Sequence, residues 1–298
     1  MCGIVGLFLK NEALQPELGR HLSRMLTTMS ARGPDSAGIA VYGDGSDDLI
    51  KLTLRAPAAD ADRDLGARLG AALQAPIEVL RRANHLVVTI PRAYRTRALA
   101  WLREHQPDLH LVGTGSHMEI YKEVGLPQQV AEKYAVPAMH GTHGIGHTRM
   151  ATESAVTTAG AHPFSTGEDQ CLVHNGSLSN HNSVRRSLRR EGIVFETEND
   201  SEVAAGYLTW RMREGDSLKQ ALTSSLDALD GFFTFVVGTR DGFAVLRDPI
   251  ACKPAVLAES DDYVAFGSEY RALAVLPGIE KARVFEPEPA TVYVWERQ

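Results

Sequence analysis

The sequence has 298 residues, of which 44% are hydrophobic and 23% charged, and its formal net charge at pH 7 is −6. This composition is typical of a globular protein with a substantial core. The acidic balance argues against a nucleic-acid-binding protein, which usually carries a basic stripe. No apolar run reaches the ~18 residues that span a bilayer, and the apolar start lacks the positive n-region of a secretory signal.

The cysteine content indicates the cellular compartment. Cys2, Cys171 and Cys252 are the only cysteines, and no CxxC spacing occurs. An odd number of unpaired thiols is typical of proteins that remain in a reducing environment. We therefore expect a cytoplasmic protein with no membrane or nucleic-acid partner.

The first part of the chain predicts a strand, a helix and two more strands. Residues 3–9 are apolar and predict a buried strand, and apolar residues at helical spacing predict a helix over about 16–30. Short strands are predicted at 39–42 and 49–54. The turn-rich segment 43–48 between them is interpreted as a hairpin loop.

Residues 55–140 predict an αβ insert. Helices are predicted near 62–82, 94–105 and 127–135, and strands at 86–90 and near 109–121. These elements are too regular for a disordered linker.

From residue 141 the chain is rich in glycine and histidine and then alternates strands with helices. The predicted strands and helices are, in order, strands 143–149 and 170–174, helices 180–191, 200–213 and 217–229, and strands 232–240, 242–247, 254–258, 263–267 and 290–295. Strands at both ends that flank central helices predict a layered α+β fold.

Cys2 directly follows the initiator methionine. If Met1 is removed, Cys2 carries a thiol and a free α-amine, with reference pKa values of about 8.5 and 8. One residue then supplies both nucleophile and base, as in hydrolases with an N-terminal nucleophile. The alternative is a small buried hydrophobic residue at the start of a strand.

Other polar residues fit the needs of acyl transfer. Asn175 and Gly176 follow a predicted strand and offer N–H donors for an oxyanion, although an Asn-Gly pair also forms plain turns. Arg149 can bind a carboxylate through two hydrogen bonds. Asp200 begins a predicted helix, where it can pair with an ammonium or act as an N-cap.

Five segments together resemble the class II glutamine amidotransferase family, whose members have an N-terminal-nucleophile hydrolase fold. Each segment is weak alone, but the five in this order are specific. They are Met1-Cys2-Gly3-Ile4-Val5-Gly6, Arg32-Gly33-Pro34-Asp35-Ser36-Ala37-Gly38, Gly146-His147-Thr148-Arg149-Met150-Ala151-Thr152, His174-Asn175-Gly176 and Asn199-Asp200-Ser201-Glu202. The resemblance covers 2–55 and roughly 141–298.

This resemblance implies the fold and the site. The implied fold is an α+β, four-layer αββα arrangement over residues 2–298 with an αβ insert at about 55–140. The implied catalytic residues are Cys2 as nucleophile and Asn175 with Gly176 as oxyanion hole. The implied substrate-binding residues are Arg149, Thr152, Asp200, Arg32, Gly33 and His162, and no metal is expected.

Within that set the roles differ. By resemblance, Arg149 and Thr152 would bind the glutamine carboxylate and Asp200 the amino group. Arg32 with Gly33 would shape the loop near the thiol. His162, in Ala161-His162-Pro163-Phe164, matches a family segment with a structural or substrate-proximal role.

Two positions depart from the pattern of several relatives. Met150 follows the arginine where they have Trp, and Glu153 follows the threonine where some have His. Met150 is expected to weaken a contact that covers the substrate. Neither change removes a catalytic group, but both are expected to slow the reaction of the free-standing chain. A regulatory subunit that keeps the fold without turnover is therefore retained as an alternative.

The resemblance also implies a partner. No synthase segment follows in this sequence, so a separate glutamate-synthase-like subunit is expected to receive the ammonia in a hetero-oligomer. FMN or an iron–sulfur cluster would belong to that partner, and no cofactor is expected in this chain. The alternative is the small subunit of N-methylglutamate synthase, which uses methylamine.

The insert separates two segments that must meet. The Arg32 loop and the strand ending at Arg149 both have to reach the thiol, so the insert should leave and re-enter the core near the active-site edge. There it would cover the pocket or dock the partner. A decorative excursion is the alternative.

Three other interpretations are less well supported. A papain-like peptidase would use Cys2 with His174 and Asn175, but Cys2 leads a strand rather than a helix. A metal site would use His140, His143 and His147. A nucleotide site would use the glycines of 141–146 or 113–115, which lack the full dinucleotide fingerprint.

Overall fold

Two antiparallel sheets face each other at the centre of the computed structural model, which describes residues 2–56, 64–151 and 155–297. The strands within these ranges are β1 Gly3–Leu9, β2 Ser36–Tyr42, β3 Leu49–Arg55, β4 Glu78–Arg82, β5 His85–Pro91, β6 His110–Gly115, β7 Met118–Val124, β8 His143–Arg149, β9 Phe164–Gly167, β10 Gln170–Leu178, β11 Gly231–Thr239, β12 Gly242–Arg247, β13 Val256–Glu259, β14 Tyr263–Gly267, β15 Arg283–Phe285 and β16 Val292–Glu296.

Helices cover the outer faces of the sheets. They are α1 Leu18–Thr28, α2 Leu65–Leu73, α3 Arg95–His105, α4 Pro127–Lys133, α5 His181–Arg190, α6 Asp200–Arg213, α7 Leu218–Ala228 and α8 Tyr270–Leu273. None of the helices described here has the length and apolar character needed to cross a membrane.

The two central sheets and their helices form four layers. The first sheet has the strand order β15-β13-β14-β1-β8-β2-β7, and the second has the order β16-β12-β11-β10-β9. Helices α1, α4 and α8 pack on the first sheet, and α5, α6 and α7 pack on the second. The predicted four-layer αββα arrangement is confirmed.

Strand β1 is buried on both faces, which explains its unbroken apolar sequence. Ile4 and Phe8 point into the core between the sheets, whereas Val5 and Leu7 point toward α1 and its neighbours. Each of these side chains is at most 5% exposed. β1 pairs with β14 on one side and β8 on the other, so the N-terminal strand lies in the middle of the first sheet.

The glycines of 141–146 serve packing. A Cβ added at Gly144 would lie 2.7 Å from Leu22 Cδ2, and one at Gly146 would lie 3.1 Å from Leu26 Cδ1. Both leucines belong to α1 and are fully buried. The glycines therefore let α1 approach β8, which accounts for the pattern that suggested a nucleotide site.

The insert is a third sheet with its own core. Strands β3–β6 form an antiparallel sheet in the order β4-β5-β3-β6, and α2 and α3 cover one of its faces. This sheet extends from Leu49 to Gly115. Within the expected span of about 55–140, β7 pairs with β2 and belongs to the first sheet, and α4 contacts α1 in the helix layer on that sheet.

The insert leaves the core at the far end of β2. Ser36 pairs with Arg149, whereas Tyr42, from which the chain departs, pairs with Met118. At about 3.3 Å per residue these ends of β2 are roughly 20 Å apart. The expectation that the insert leaves and re-enters at the edge holding Arg149 is wrong, because β2 runs away from that edge.

Two local predictions are also wrong. Segment 43–48 is not a hairpin loop, since β2 and β3 lie in different sheets. The helix predicted over 62–82 ends at Leu73, and 78–82 forms β4. Gln74 has a left-handed φ of 55°, which ends the helix, and Pro76 cannot continue it.

Candidate active site

A cleft of about 860 Å³ opens where β1 begins and β8 ends. The predicted site residues on its walls are Cys2, Arg32, Arg149, His162, Asn175, Gly176 and Asp200. Gly33 lies behind this wall, against the backbone of Arg149. Thr152 and Glu153 lie outside the described residues.

Cys2 is half-buried and its backbone is held from two sides. Its carbonyl oxygen accepts hydrogen bonds from Arg32 Nε at 2.9 Å and from Asn175 Nδ2 at 3.2 Å. Its thiol is directed to the carbonyl oxygen of Met150, with an S···O distance of 3.8 Å. Two elements distant in sequence thus fix the thiol against the wall of the cleft.

Arg32 is itself anchored. Its Nη1 donates to Glu269 Oε1 at 2.6 Å, and Arg271 Nε lies 2.6 Å from the other oxygen of the same carboxylate. The hydrogen bond from Arg32 lowers the pKa of Glu269. Because Arg32 is only 8% exposed, its guanidinium connects a surface carboxylate to the buried start of β1.

Ser268 completes the support of Cys2 and Asn175. Its hydroxyl oxygen accepts from the Ile4 amide at 2.9 Å and lies 3.2 Å from Asn175 Nδ2, and its amide donates to the Ile4 carbonyl. Neither Ser268 nor Glu269 belongs to any of the five sequence motifs. The only trace of them in the sequence is a polar pair directly after the buried strand 263–267. That pair could not be assigned to the site, because it is the pairing of β14 with β1 that brings this strand end beside Cys2.

Asn175 and Gly176 lie within β10 and do not form a turn. They pair with Thr234 and Phe233 of β11. Gly176 has a φ of +147°, and a Cβ there would lie 1.9 Å from the Phe232 carbonyl oxygen. Only glycine fits this conformation and this space. Asn175, the residue before it, directs its amide nitrogen to the Cys2 carbonyl oxygen.

Three buried histidines line the same cleft as Asn175. His147 Nε2 lies 3.2 Å from Asn175 Oδ1, and the rings of His147 and His162 are 3.9 Å apart. His174 Nδ1 lies 2.9 Å from the Ser201 hydroxyl. Burial lowers the pKa of His147 to about 3 and lowers those of His162 and His174 as well. Neutral rings therefore form this wall at pH 7.

The histidines of the metal alternative do not converge. His140 pairs with Asp44 at the surface, and His143 stacks on Tyr42 with ring centroids 4.1 Å apart. His147 contacts Asn175 instead. Among the residues that the structure describes, no three His, Cys, Asp or Glu side chains are grouped as metal ligands.

Arg149 and Asp200 bring opposite charges to the cleft walls. Arg149 is only 9% exposed, and its Nη1 donates to the Ala155 carbonyl at 3.3 Å. Asp200 is the first residue of α6, and its Oδ2 accepts from the Leu178 amide at 2.9 Å. The N-cap is Asn199, whose side chain accepts from the Ser201 amide, so the N-cap alternative for Asp200 is wrong. A guanidinium and a carboxylate in one cleft suit a ligand with both charges.

Comparison with known proteins identifies relatives over the whole chain. Residues 147–275 match a family described as a glutamine amidotransferase domain. The chain is 61% identical to the glutamine amidotransferase-like protein GlxB of Rhizobium meliloti (strain 1021), covering 100% of this chain and 99% of that protein. It is 34% identical over 133 residues to glutamine–fructose-6-phosphate aminotransferase of Salmonella paratyphi A, covering 44% of this chain and 22% of the enzyme.

A solved structure shares the fold. The glutamine phosphoribosylpyrophosphate amidotransferase from B. subtilis, complexed with ADP and GMP, superimposes with a TM-score of 0.63 at 20% identity. The match covers 99% of this chain and 47% of that structure, so the chain spans about half the length of that enzyme.

Gly33→Ala tests the close approach behind the site. A Cβ at Gly33 would lie 2.5 Å from the Arg149 amide nitrogen, so we expect the substitution to lower the free energy of unfolding by about 1–3 kcal/mol. Gly6→Ala is the matched control, since its Cβ would meet only carbon atoms at 3.5 Å or more, and it should cost less than about 1 kcal/mol. Urea unfolding measures both. Equal losses would contradict this account of Gly33.

Proposed function

Since this chain belongs to the class II glutamine amidotransferase family, we propose that it hydrolyses L-glutamine to glutamate and ammonia with Cys2 as nucleophile. The observation that supports this most directly is the contact between Cys2 and Asn175. The half-buried thiol and an amide donor lie together in a cleft that also presents Arg149 and Asp200. These are the groups that acyl transfer from an amino-acid amide requires.

The proposed reaction has two steps. Removal of Met1 frees the α-amine of Cys2, which accepts the thiol proton, and the thiolate attacks the side-chain amide carbon of glutamine. The amide oxygen becomes an oxyanion that accepts hydrogen bonds from Asn175 Nδ2 and the Gly176 amide. The proton passes to the leaving nitrogen, ammonia departs and a thioester remains. Water then attacks the thioester, releasing glutamate and the free thiol.

The charged walls hold the rest of the substrate. Arg149 would bind the α-carboxylate and Asp200 the α-ammonium, with Thr152 assisting Arg149. Neutral His147, His162 and His174 add polar groups but no charge to this pocket. The charge pair of Arg149 and Asp200 would then select an amino-acid zwitterion. Arg32 and Gly33 would shape the loop that fixes the thiol.

Covalent labelling tests the nucleophile. A glutamine-mimicking diazoketone should add one equivalent at Cys2, as located by peptide mass spectrometry. Cys2→Ser should abolish labelling and Cys252→Ser should not, since Cys252 is exposed but does not line the cleft. Burial raises the pKa of Cys171 to about 12, so that thiol should stay unlabelled.

The mass of the N-terminus, measured in the same samples, distinguishes an enzyme from a non-catalytic subunit. A chain that retains Met1 has no free α-amine at Cys2. Labelling confined to Cys252 or Cys171 would refute Cys2 as nucleophile.

Asn175→Ala tests the oxyanion role. Loss of one donor should lower kcat for glutamine hydrolysis by about 10²–10³-fold with a smaller change in KM. Asn11→Ala removes a surface amide that contacts Asp262 and should leave both constants unchanged. A rise in KM at constant kcat for Asn175→Ala would show that the residue binds substrate and does not stabilise the oxyanion.

We also propose that a separate cytoplasmic, glutamate-synthase-like subunit receives the ammonia. Free ammonia would diffuse away from a cleft that opens to solvent. Exposed apolar side chains at the cleft would suit a partner surface. Met150, which is 37% exposed, lines the cleft, and Phe232, also 37% exposed, lies against Lys253 of the cleft wall. FMN or an iron–sulfur cluster would belong to the partner, and a methylamine-using N-methylglutamate synthase is the alternative complex.

Isolation of the chain at its natural expression level tests the partner. We expect a native mass well above 32.5 kDa, a co-purifying flavoprotein, and a glutaminase rate that falls when the two are separated and recovers when they are mixed. A monomer with full glutaminase activity, unaffected by added partner fractions, would contradict the proposal.

A further inference from the structure

One segment of the cleft wall wraps around an edge strand. Residues 155–164 follow Arg149 and contribute Ala155, Thr157, Ala159, Gly160 and His162 to the cleft. Strand β7 is the edge of the first sheet. Successive residues of a strand point to opposite faces, and the segment contacts the two neighbours Lys122 and Glu123 at the end of β7.

Lys122 holds the segment from the face between the sheets. Its ammonium donates to the carbonyls of Ala159, Ala161 and Pro163 at 3.3, 2.9 and 3.3 Å and lies 4.7 Å from the centre of the Phe164 ring. The side chain is 6% exposed. Burial lowers the pKa of Lys122 to about 8, so at pH 7 most molecules keep three N–H donors for three carbonyls.

Gly38 provides the space for this contact. It pairs with Lys122 across β2 and β7, and a Cβ at Gly38 would lie 1.9 Å from the His162 carbonyl oxygen. The backbone at His162 therefore lies directly on the sheet beside Lys122. In this position the ring of His162 packs against the ring of His147, and His147 in turn contacts the Asn175 side chain.

Glu123 holds the same segment from the opposite face and also contacts the insert. Its carboxylate accepts from Thr158 Oγ1 at 2.6 Å, Lys133 Nζ at 2.8 Å and Asn84 Nδ2 at 2.8 Å. Burial raises its pKa, but these hydrogen bonds outweigh burial and lower the pKa of Glu123 to about 2. Asn84 connects β4 and β5, and its Oδ1 accepts from Tyr134 at 2.7 Å.

We propose that Lys122 and Glu123 are positioning residues of the glutamine pocket, and that the insert supports this pocket through the hydrogen bond from Asn84 to Glu123. The proposal rests on the proposed function for the identity of the ligand. Neither residue lines the cleft. Both act by fixing segment 155–164, whose displacement by about 1 Å would be enough to misplace a bound substrate.

The test compares Lys122→Met, Thr158→Val and Asn84→Ala in the full chain. Lys51→Met is the matched control. Lys51, on β3, forms an ion pair with Glu119, which lies on β7 like Lys122 but away from the cleft. Hydrogen–deuterium exchange of peptides covering 155–163 reports the segment without any ligand. Steady-state glutamine hydrolysis then separates KM from kcat. Global stability is followed by urea unfolding.

We expect faster exchange at 155–163 and a KM raised about 10- to 100-fold for Lys122→Met, with kcat changed less than KM. Thr158→Val and Asn84→Ala should change both readouts in the same direction but less, and Lys51→Met should change neither. Unchanged exchange, unchanged KM, or exchange that rises equally across the whole chain would overturn the proposal.

Failure of the proposed function gives a different result. In that case the wild-type chain neither hydrolyses glutamine nor reacts with the diazoketone, while the exchange measurement still decides whether Lys122, Thr158 and Asn84 hold the segment. If Asn84→Ala changed exchange and KM no more than Lys51→Met does, the proposed support of the pocket by the insert would be refuted.

Discussion

The carbonyl oxygen of Cys2 is the point on which the site depends. It accepts one hydrogen bond from Arg32, in the loop before β2, and one from Asn175, in the opposite sheet. A hydrogen bond from a charged donor contributes about 1.5–3 kcal/mol and a neutral one about 0.5–1.5 kcal/mol. These contacts hold only if the two sheets pack in register, so the position of the thiol depends on the core between them, which includes Ile4, Ile145 and Val173.

Burial determines the electrostatic character of the site. The histidines near Asn175 are removed from water, and burial keeps them uncharged at neutral pH. Arg149 and Asp200 both line the cleft beside these rings. A guanidinium and a carboxylate in one cleft suit a ligand with both charges, which is why we propose an amino-acid zwitterion as the substrate.

The insert and the cleft segment together protect the edge of the first sheet. β7 is an edge strand, and such strands expose unpaired backbone groups that promote association. The insert strands β3 and β6 contact β7, and segment 155–164 crosses its end. The same contacts bring Asn84 of the insert to Glu123. The insert thus folds back along β7 to the residue that holds Thr158 of segment 155–164, although the chain leaves the sheet at the other end of β2.

Local sequence determined most of the elements. The predicted bounds of strands 143–149, 242–247 and 263–267 and of helix 200–213 agree with the structure, because periodicity and capping depend on residues close in sequence. The motifs likewise identified residues that the structure brings into one cleft. Their catalytic roles remain predictions.

Tertiary structure alone decided which strands pair and what lies beside the thiol. Segment 43–48 looks like a hairpin loop, yet β2 and β3 join different sheets because each buries its faces against other layers. Ser268, Glu269 and Lys122 belong to no motif. They support the site because antiparallel pairing places the ends of β14 and β7 beside segments far away in the chain. Strand register depends on which distant faces are buried together, and no stretch of neighbouring residues encodes it.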